Sequence, residues 1–177
     1  LRLATYYTRS KDFISYRSLS VFENQADNIT DVQVIGSDVE FNWGFAPDWD
    51  LHVAYTYNRS TVVEDEADPD MAGHFLPFVP RHKANIGISI QDFYGVNVDL
   101  NARYEGERFG GYDNLESNIK TDYVSLDLGL SGDFGSNLDW SLSFENLLDD
   151  KYDIYSMPPI PAEAPGLLVN GSLTYKF

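Results

Sequence analysis

The groups able to do chemistry in this sequence are mostly carboxylates. Asp and Glu number 28 against 12 Lys and Arg, a formal charge of -16. The stretch "VEDEADPDMAGH" gathers Glu64, Asp65, Glu66, Asp68 and Asp70, oxygen donors of the kind that hold calcium. Their spacing matches no EF-hand loop and lacks its closing bidentate Glu, so the stretch reads as a solvated loop. His52, His74 and His82 show no metal-ligand spacing such as H-E-x-x-H. Carboxylate pairs for glycoside hydrolysis could be drawn from Asp99, Glu105, Asp127 and Glu145, but a polar channel wall carries such residues for hydration alone. No G-x-S-x-G nucleophile signature occurs. With no Cys, thiolate catalysis, disulfides and Cys-based zinc sites are excluded. The reading is therefore of a chain that makes and breaks no bonds, with no cofactor and no metal set. Nucleic acid is a poor partner, because phosphate binding needs a basic stripe and none is present.

What positions these groups is a series of alternating strands. The 3.6-residue template of a helix fits no long window, whereas period-two alternation fits almost everywhere. In "WDLHVAYTYN", Trp49, Leu51, Val53, Tyr55 and Tyr57 share one face, opposite Asp50, His52, Ala54, Thr56 and Asn58. The same pattern sets Ala84, Ile86, Ile88 and Ile90 against Lys83, Asn85 and Ser89, and Val96, Val98, Leu100, Ala102 and Tyr104 against Asp99, Arg103 and Glu105. It recurs with Val124 to Leu130 against Ser125 and Asp127, with Leu138 to Phe144 against Asp139 and Glu145, and in a final strand carrying Leu167, Val169, Leu173 and Tyr175. Residues 1–14 and 28–45 also read as strands, the second with a phase slip near Ile35 and Gly36 that predicts a bulge. The total is about eight strands.

Connections alternate in length. Short ones lie at "APDW", "DFYG" and "FGSN", and long ones span residues 15–27, 61–79, 109–122 and 148–165. All the long loops thus gather on one side, which is the asymmetry of an outer-membrane barrel with tight periplasmic turns and long extracellular loops. In the six regular strands the apolar face carries no charge. A charged side chain facing lipid at the midplane costs about 2–4 kcal/mol, so that separation points to lipid. Aromatics gather near the short turns (Trp43, Phe45, Trp49, Phe93, Phe134, Trp140, Tyr175, Phe177) and near the long loops (Tyr55, Tyr57, Tyr104, Phe109), as two interfacial girdles do. The fold class is all-β: a portion of an antiparallel transmembrane β-barrel, an up-and-down meander of about eight strands. A complete small eight-stranded barrel and a soluble lipocalin-like binder are the alternatives.

The stretch "SFENLLDDKYDIYS" with "PGLLVNGSLTYKF" resembles the C-terminal end of TonB-dependent outer-membrane receptors, whose last two strands commonly flank an N-L-x-D-x-x-Y element. Asn146, Leu147, Asp149 and Tyr152 match it. Gly36 with Glu40 in "VIGSDVEFNW" looks like the G-x-E strand of that family with two extra residues, and "LPFVPRHKANIGISI" with "ARYEGERFGGYDN" is similar to its ferric dicitrate type.

The resemblance implies that residues 1–177 are the C-terminal part of such a barrel, with the plug domain and further strands upstream of Leu1. It implies an outer-membrane location in a Gram-negative bacterium and uptake of a scarce nutrient, most plausibly a ferric chelate. Its partners would be outer-membrane lipid, the barrel-assembly machinery and, through the upstream region, the TonB complex. Leu173, Tyr175 and Phe177 would form the signal read by the assembly machinery. Lumen-facing candidates for contact with cargo or plug are Asp50, His52, Lys83, Asp99, Arg103, Glu105, Asp127 and Glu145. Lys83 and Arg103, rare cations among many acids, are the groups an anionic chelate would meet. Were the sheet open, Leu1 to Ser10 would form an edge not paired with the last strand.

Overall fold

The computed structural model describes the backbone of residues 1–20, 23–157 and 160–177, and the side chains of residues 1–14, 31–153 and 163–177. Its strands are, in chain order, β1 (Arg2–Ser20), β2 (Glu23–Ala46), β3 (Trp49–Glu64), β4 (His82–Phe93), β5 (Val96–Glu105), β6 (Arg108–Phe109), β7 (Ile119–Lys120), β8 (Tyr123–Phe134), β9 (Leu138–Glu145), β10 (Asp153–Met157), β11 (Ile160–Glu163) and β12 (Leu168–Tyr175). Eight of them make one antiparallel sheet in the order β1-β2-β3-β4-β5-β8-β9-β12, and β6-β7 and β10-β11 are separate two-stranded ribbons within long connections. Chain neighbours are sheet neighbours throughout, the meander that the alternating pattern predicts.

Register converts the period-two pattern into two surfaces. Trp43, Leu51, Ile88, Leu100, Leu128, Phe144 and Val169 stand directly opposite one another across seven successive strands. One residue further along, the row is Asn42, His52, Gly87, Asn101 and Asp127. Since neighbouring residues of a strand point to opposite faces, the first row belongs to a continuous apolar face and the second to a polar one. Among the described residues the apolar face is left partly or largely exposed: Leu173 is 71% exposed, Trp43 54% and Ile86 48%. A lipocalin-like barrel would bury those side chains in its interior, so this reading is set aside. The sheet does not close either. Strands β1 and β12 are its two ends, and Leu1 to Ser10 is an edge unpaired with the last strand.

Three sequence readings are corrected. The connection expected at residues 15–27 is largely strand: β1 and β2 continue their ladder through Ser15↔Asp27 to Ser18↔Asn24. The residues of that ladder, 15–18 and 24–27, are mostly polar and leave no apolar alternation to be read. β3 likewise runs on to Glu64, past the expected start of the loop at residue 61. No bulge occurs at Ile35 and Gly36, because pairing there is unbroken on both sides, Tyr6↔Gly36 and Gly36↔Asn58. Gly36 answers a different need. A Cβ at that position would overlap the ring of Tyr6, which lies across the glycine from the neighbouring strand.

The tight turns use short-range chemistry. Gly95 takes φ +84° beside Tyr94 and Asp92, also at positive φ, while the Asp92 carboxylate accepts the Gly95 N–H at 3.1 Å. Aromatic rings line this end of the sheet: Trp43–Phe45 at 5.6 Å, Phe45–Trp49 at 5.7 Å, Trp49–Phe93 at 6.4 Å and Phe134–Trp140 at 6.1 Å between centroids. The buried apolar cluster sits toward the opposite end, where residues 65–81 fold back over the end of β3 and the part of β2 paired with it. There Val32, Val62, Met71 and Leu76 pack together with Val79 and Tyr112.

Candidate functional site

All eight lumen candidates fall on the polar face. Pairing sets Asp50 opposite Ser89 and Ser89 opposite Asp99, and the Ser89 hydroxyl donates to the Asp99 carboxylate at 2.6 Å. One row away, His52 Nδ1 is hydrogen-bonded to Asn42 Oδ1 at 2.6 Å, and Asp127 accepts the Asn146 backbone N–H at 2.9 Å. Glu145 accepts from the Asn170 amide at 3.4 Å. The polar face is thus a lattice of short cross-strand hydrogen bonds, in which most acids are already occupied.

The two cations separate. Lys83 stands opposite Glu105 and pairs with it at 3.3 Å. Arg103, between Asn85 and Ser125 in its row, is exposed and has no hydrogen-bond or ion-pair partner among the described residues. A guanidinium held in a wall of acids and left unneutralised is suited to taking two oxygens of a passing carboxylate, catecholate or phosphate.

Above the lattice the long loops are joined. Phe75 exchanges two hydrogen bonds with the side chain of Asn114: its N–H donates to Oδ1 at 2.6 Å, and its carbonyl accepts from Nδ2 at 3.0 Å. The Phe78 N–H donates to the Phe109 carbonyl at 2.8 Å, and His74 Nδ1–H to the Tyr112 carbonyl at 2.8 Å. The second and third loops are tied in turn by Lys120–Asp153 at 2.9 Å, by the Arg108 guanidinium on the Asp153 carbonyl, and by Tyr123 stacked on Tyr152. Arg108 is 6% exposed and also faces Glu105 at 3.9 Å. Residues 65–81 and 106–122, with the described residues of the connection after β9, therefore form one canopy over the polar face. The sequence drew attention to "ARYEGERFGGYDN" as a segment of family resemblance, not to Arg108 or Asn114, whose partners lie 45 and 39 residues away.

The acidic stretch serves this canopy. Asp65 is buried, and its Oδ1 accepts the N–H groups of Ala67 at 2.9 Å and Asp68 at 3.2 Å, a turn staple of the Asx kind. Among the described residues no three His, Asp or Glu side chains are placed to share a metal. The N-L-x-D-x-x-Y residues are staples as well. Asn146, at φ +54° and 6% exposed, donates from its amide to the carbonyls of Asp150 at 2.8 Å and Pro165 at 3.1 Å. Asp149 accepts the Leu167 N–H at 2.9 Å. Together they turn the chain from β9 and return it to β12.

A family model described as TonB dependent receptor-like, beta-barrel, matches residues 1–147. The chain belongs to that family. This TonB-dependent receptor barrel is 29% identical over 159 residues to the pesticin receptor of Yersinia pestis, covering 88% of this chain and 23% of that protein. It is 25% identical over 122 residues to the catecholate siderophore receptor Fiu of Escherichia coli K12, covering 68% of this chain and 16% of Fiu. The crystal structure of the ferric yersiniabactin uptake receptor FyuA from Yersinia pestis superposes with a TM-score of 0.75 at 26% identity, covering 99% of this chain and 27% of that one. The chain spans about a quarter or less of the length of these relatives. The TonB-dependent family is one of outer-membrane receptors of Gram-negative bacteria and is not enzymatic.

Proposed function

We propose that this chain is the C-terminal barrel portion of a TonB-dependent receptor in a Gram-negative outer membrane, and that the receptor takes up a ferric siderophore. The relatives' names support the cargo class, since they include receptors for a catecholate siderophore and for ferric yersiniabactin. The observation that carries the reading within this chain is Arg103, unneutralised on a polar wall where Lys83 and most acids are engaged. Cargo held by the canopy would move down this wall when the TonB complex displaces a plug, and Arg103 would contact the anionic chelate or a plug carboxylate on the way. The ferric dicitrate type indicated by the sequence is the narrower version of this reading. Leu173 and Tyr175 stand exposed on the apolar face of β12, and Phe177, two residues past its end, is exposed as well, with its ring 5.2 Å from that of Tyr175. That placement supports their contact with lipid and their reading by the barrel-assembly machinery.

Uptake of radiolabelled iron by cells carrying the full receptor tests this. Ferric citrate, a ferric catecholate and ferric yersiniabactin would be supplied separately, with Arg103→Ala and Arg103→Lys compared at equal surface amounts. Loss of a charge-assisted bidentate contact predicts a half-saturating concentration raised roughly tenfold in Arg103→Ala, partly recovered in Arg103→Lys, for the true cargo only. Unchanged uptake of every chelate would remove Arg103 from the path, and uptake of none by the parent receptor would overturn the siderophore reading.

A further inference from the structure

Immediately above the loop-side girdle, the outward face becomes basic. Tyr55 and Tyr57 point toward lipid and close on His82, with ring centroids at 6.2 and 5.4 Å. Two residues further along β3, on the same face and about 7 Å up the strand, stands Arg59, which is exposed. The next outward position, Thr61, bridges to Phe75, so the Phe75 ring lies on that face too. It stacks on Phe109 at 5.8 Å, and both the Arg59 and Arg81 guanidinium carbons sit against it, at 5.9 and 5.2 Å from its centroid. Neither arginine has a carboxylate partner among the described residues. In a chain of net charge -16, two free guanidiniums held by one ring at this height require an account.

We propose that Arg59 and Arg81, steadied on Phe75, bind a phosphate of an outer-leaflet glycolipid headgroup. Position carries the argument. From Trp49 to Arg59 the outward face of β3 covers about 34 Å of strand, which tilted at about 40° rises about 26 Å, just past the 25 Å apolar band of such barrels. Arg59 therefore falls at the headgroup level, where phosphates sit. Stacking leaves the N–H fork of each guanidinium free along its edge, the geometry that binds phosphate in bidentate fashion, and the aromatic face limits the rotamers to be ordered on binding. Arg59 stands on the wall that faces away from the polar lattice, and the Arg81 guanidinium reaches the same Phe75 ring, so this pair is set apart from the lumen-side candidates. The proposal rests on the transmembrane reading.

The test uses the full receptor containing this segment, purified in detergent, and follows by native mass spectrometry its retention of bisphosphorylated lipid A and of the dephosphorylated lipid. The expected result is at least about tenfold weaker binding of the dephosphorylated lipid. Arg59→Ala with Arg81→Ala should lower the phosphorylated lipid to the same level, with the double Lys variant intermediate. Heat-modifiable migration confirms folding. Should the double Ala variant fail to fold, Phe75→Leu supplies the readout, with a loss of a few fold expected. Equal binding of both lipids, or an unaffected double Ala or Phe75→Leu variant, would overturn the site. Displacement of the lipid by millimolar inorganic phosphate would mean a soluble-anion site and would also overturn it. A receptor that stays dispersed without detergent would defeat the transmembrane reading itself, whereas a detergent-requiring receptor that ignores lipid A defeats this proposal alone.

Discussion

Tyr123 and Tyr152 lie face to face, ring centroids 3.6 Å apart and planes 5° from parallel. Tyr123 opens β8, and Tyr152 belongs to the connection between β9 and β12, so this stack fastens the third loop to the sheet beside Arg108, whose guanidinium carbon lies 5.9 Å from the Tyr123 ring. Tyr152→Ala should loosen residues 146–167 first. An aromatic pair contributes about 0.5–1.5 kcal/mol beyond its area burial, so limited proteolysis should cut that loop several times faster, while Tyr152→Phe stays near the parent.

Asn146 supplies both donors and an acceptor in one buried corner, with Asp150 N–H returning to its Oδ1 at 3.3 Å. Asn146→Ala removes all three bonds and places Ala at φ +54°. Losing the hydrogen bonds of the buried Asn146 side chain costs about 1–3 kcal/mol, and the backbone adds to it. The temperature at which the receptor loses heat-modifiable migration should fall, with Asn146→Asp intermediate because it keeps the acceptor and loses both donors.

Gly36 exists for Tyr6. A methyl at residue 36 would meet that ring and come within 2.7 Å of the Tyr57 carbonyl oxygen, so Gly36→Ala should destabilise by about 1–3 kcal/mol in a urea titration. Adding Tyr6→Ala should return part of the loss, a coupling above about 0.5 kcal/mol. Purely additive effects would mean that the ring does not set the requirement for glycine.

Asp31 is buried where β2 runs past the end of β3, beyond the girdle, and takes two contacts from the Arg9 guanidinium, at 2.7 and 2.5 Å. The hydrogen bond from Arg9 holds its carboxyl below the ordinary value, against the opposing effect of burial. A carboxyl depressed in the folded state adds stability that is complete above its unfolded value of about 3.9 and is lost as pH falls through the folded one. The β1–β2 pairing around Arg9 and Asp31 should therefore resist proteolysis at pH 5–7 and loosen below about pH 4. Asp31→Asn should show no such step and should sit below the parent at neutral pH.

Much of the site was readable because it depends on period two. Alternation puts Asp50, His52, Lys83, Asp99, Arg103, Glu105, Asp127 and Glu145 each on the polar side of its own strand, and the observed register brings those sides onto one face; a slip of one residue would have turned a strand's set to the other face. Which of them is free was not readable. Lys83 is neutralised because register sets it opposite Glu105, and Arg103 is left bare because the same register sets it between Asn85 and Ser125; sliding β5 by two residues against its neighbours would leave the pattern intact and exchange those partners.

Alternation, turn residues and aromatic bands in the sequence alone determined the meander, the two faces and the side on which the long loops lie, because these follow from local backbone geometry and from the cost of placing charge in lipid. Tertiary structure decided the rest: the extension of β1 and β2 beyond the band, the fit of Gly36 to Tyr6, the canopy stapled by Asn114, Arg108 and Asn146, and the free arginines on Phe75. Each of those depends on groups brought together from distant parts of the chain, and a pair interaction of that kind leaves no period in the sequence to betray it.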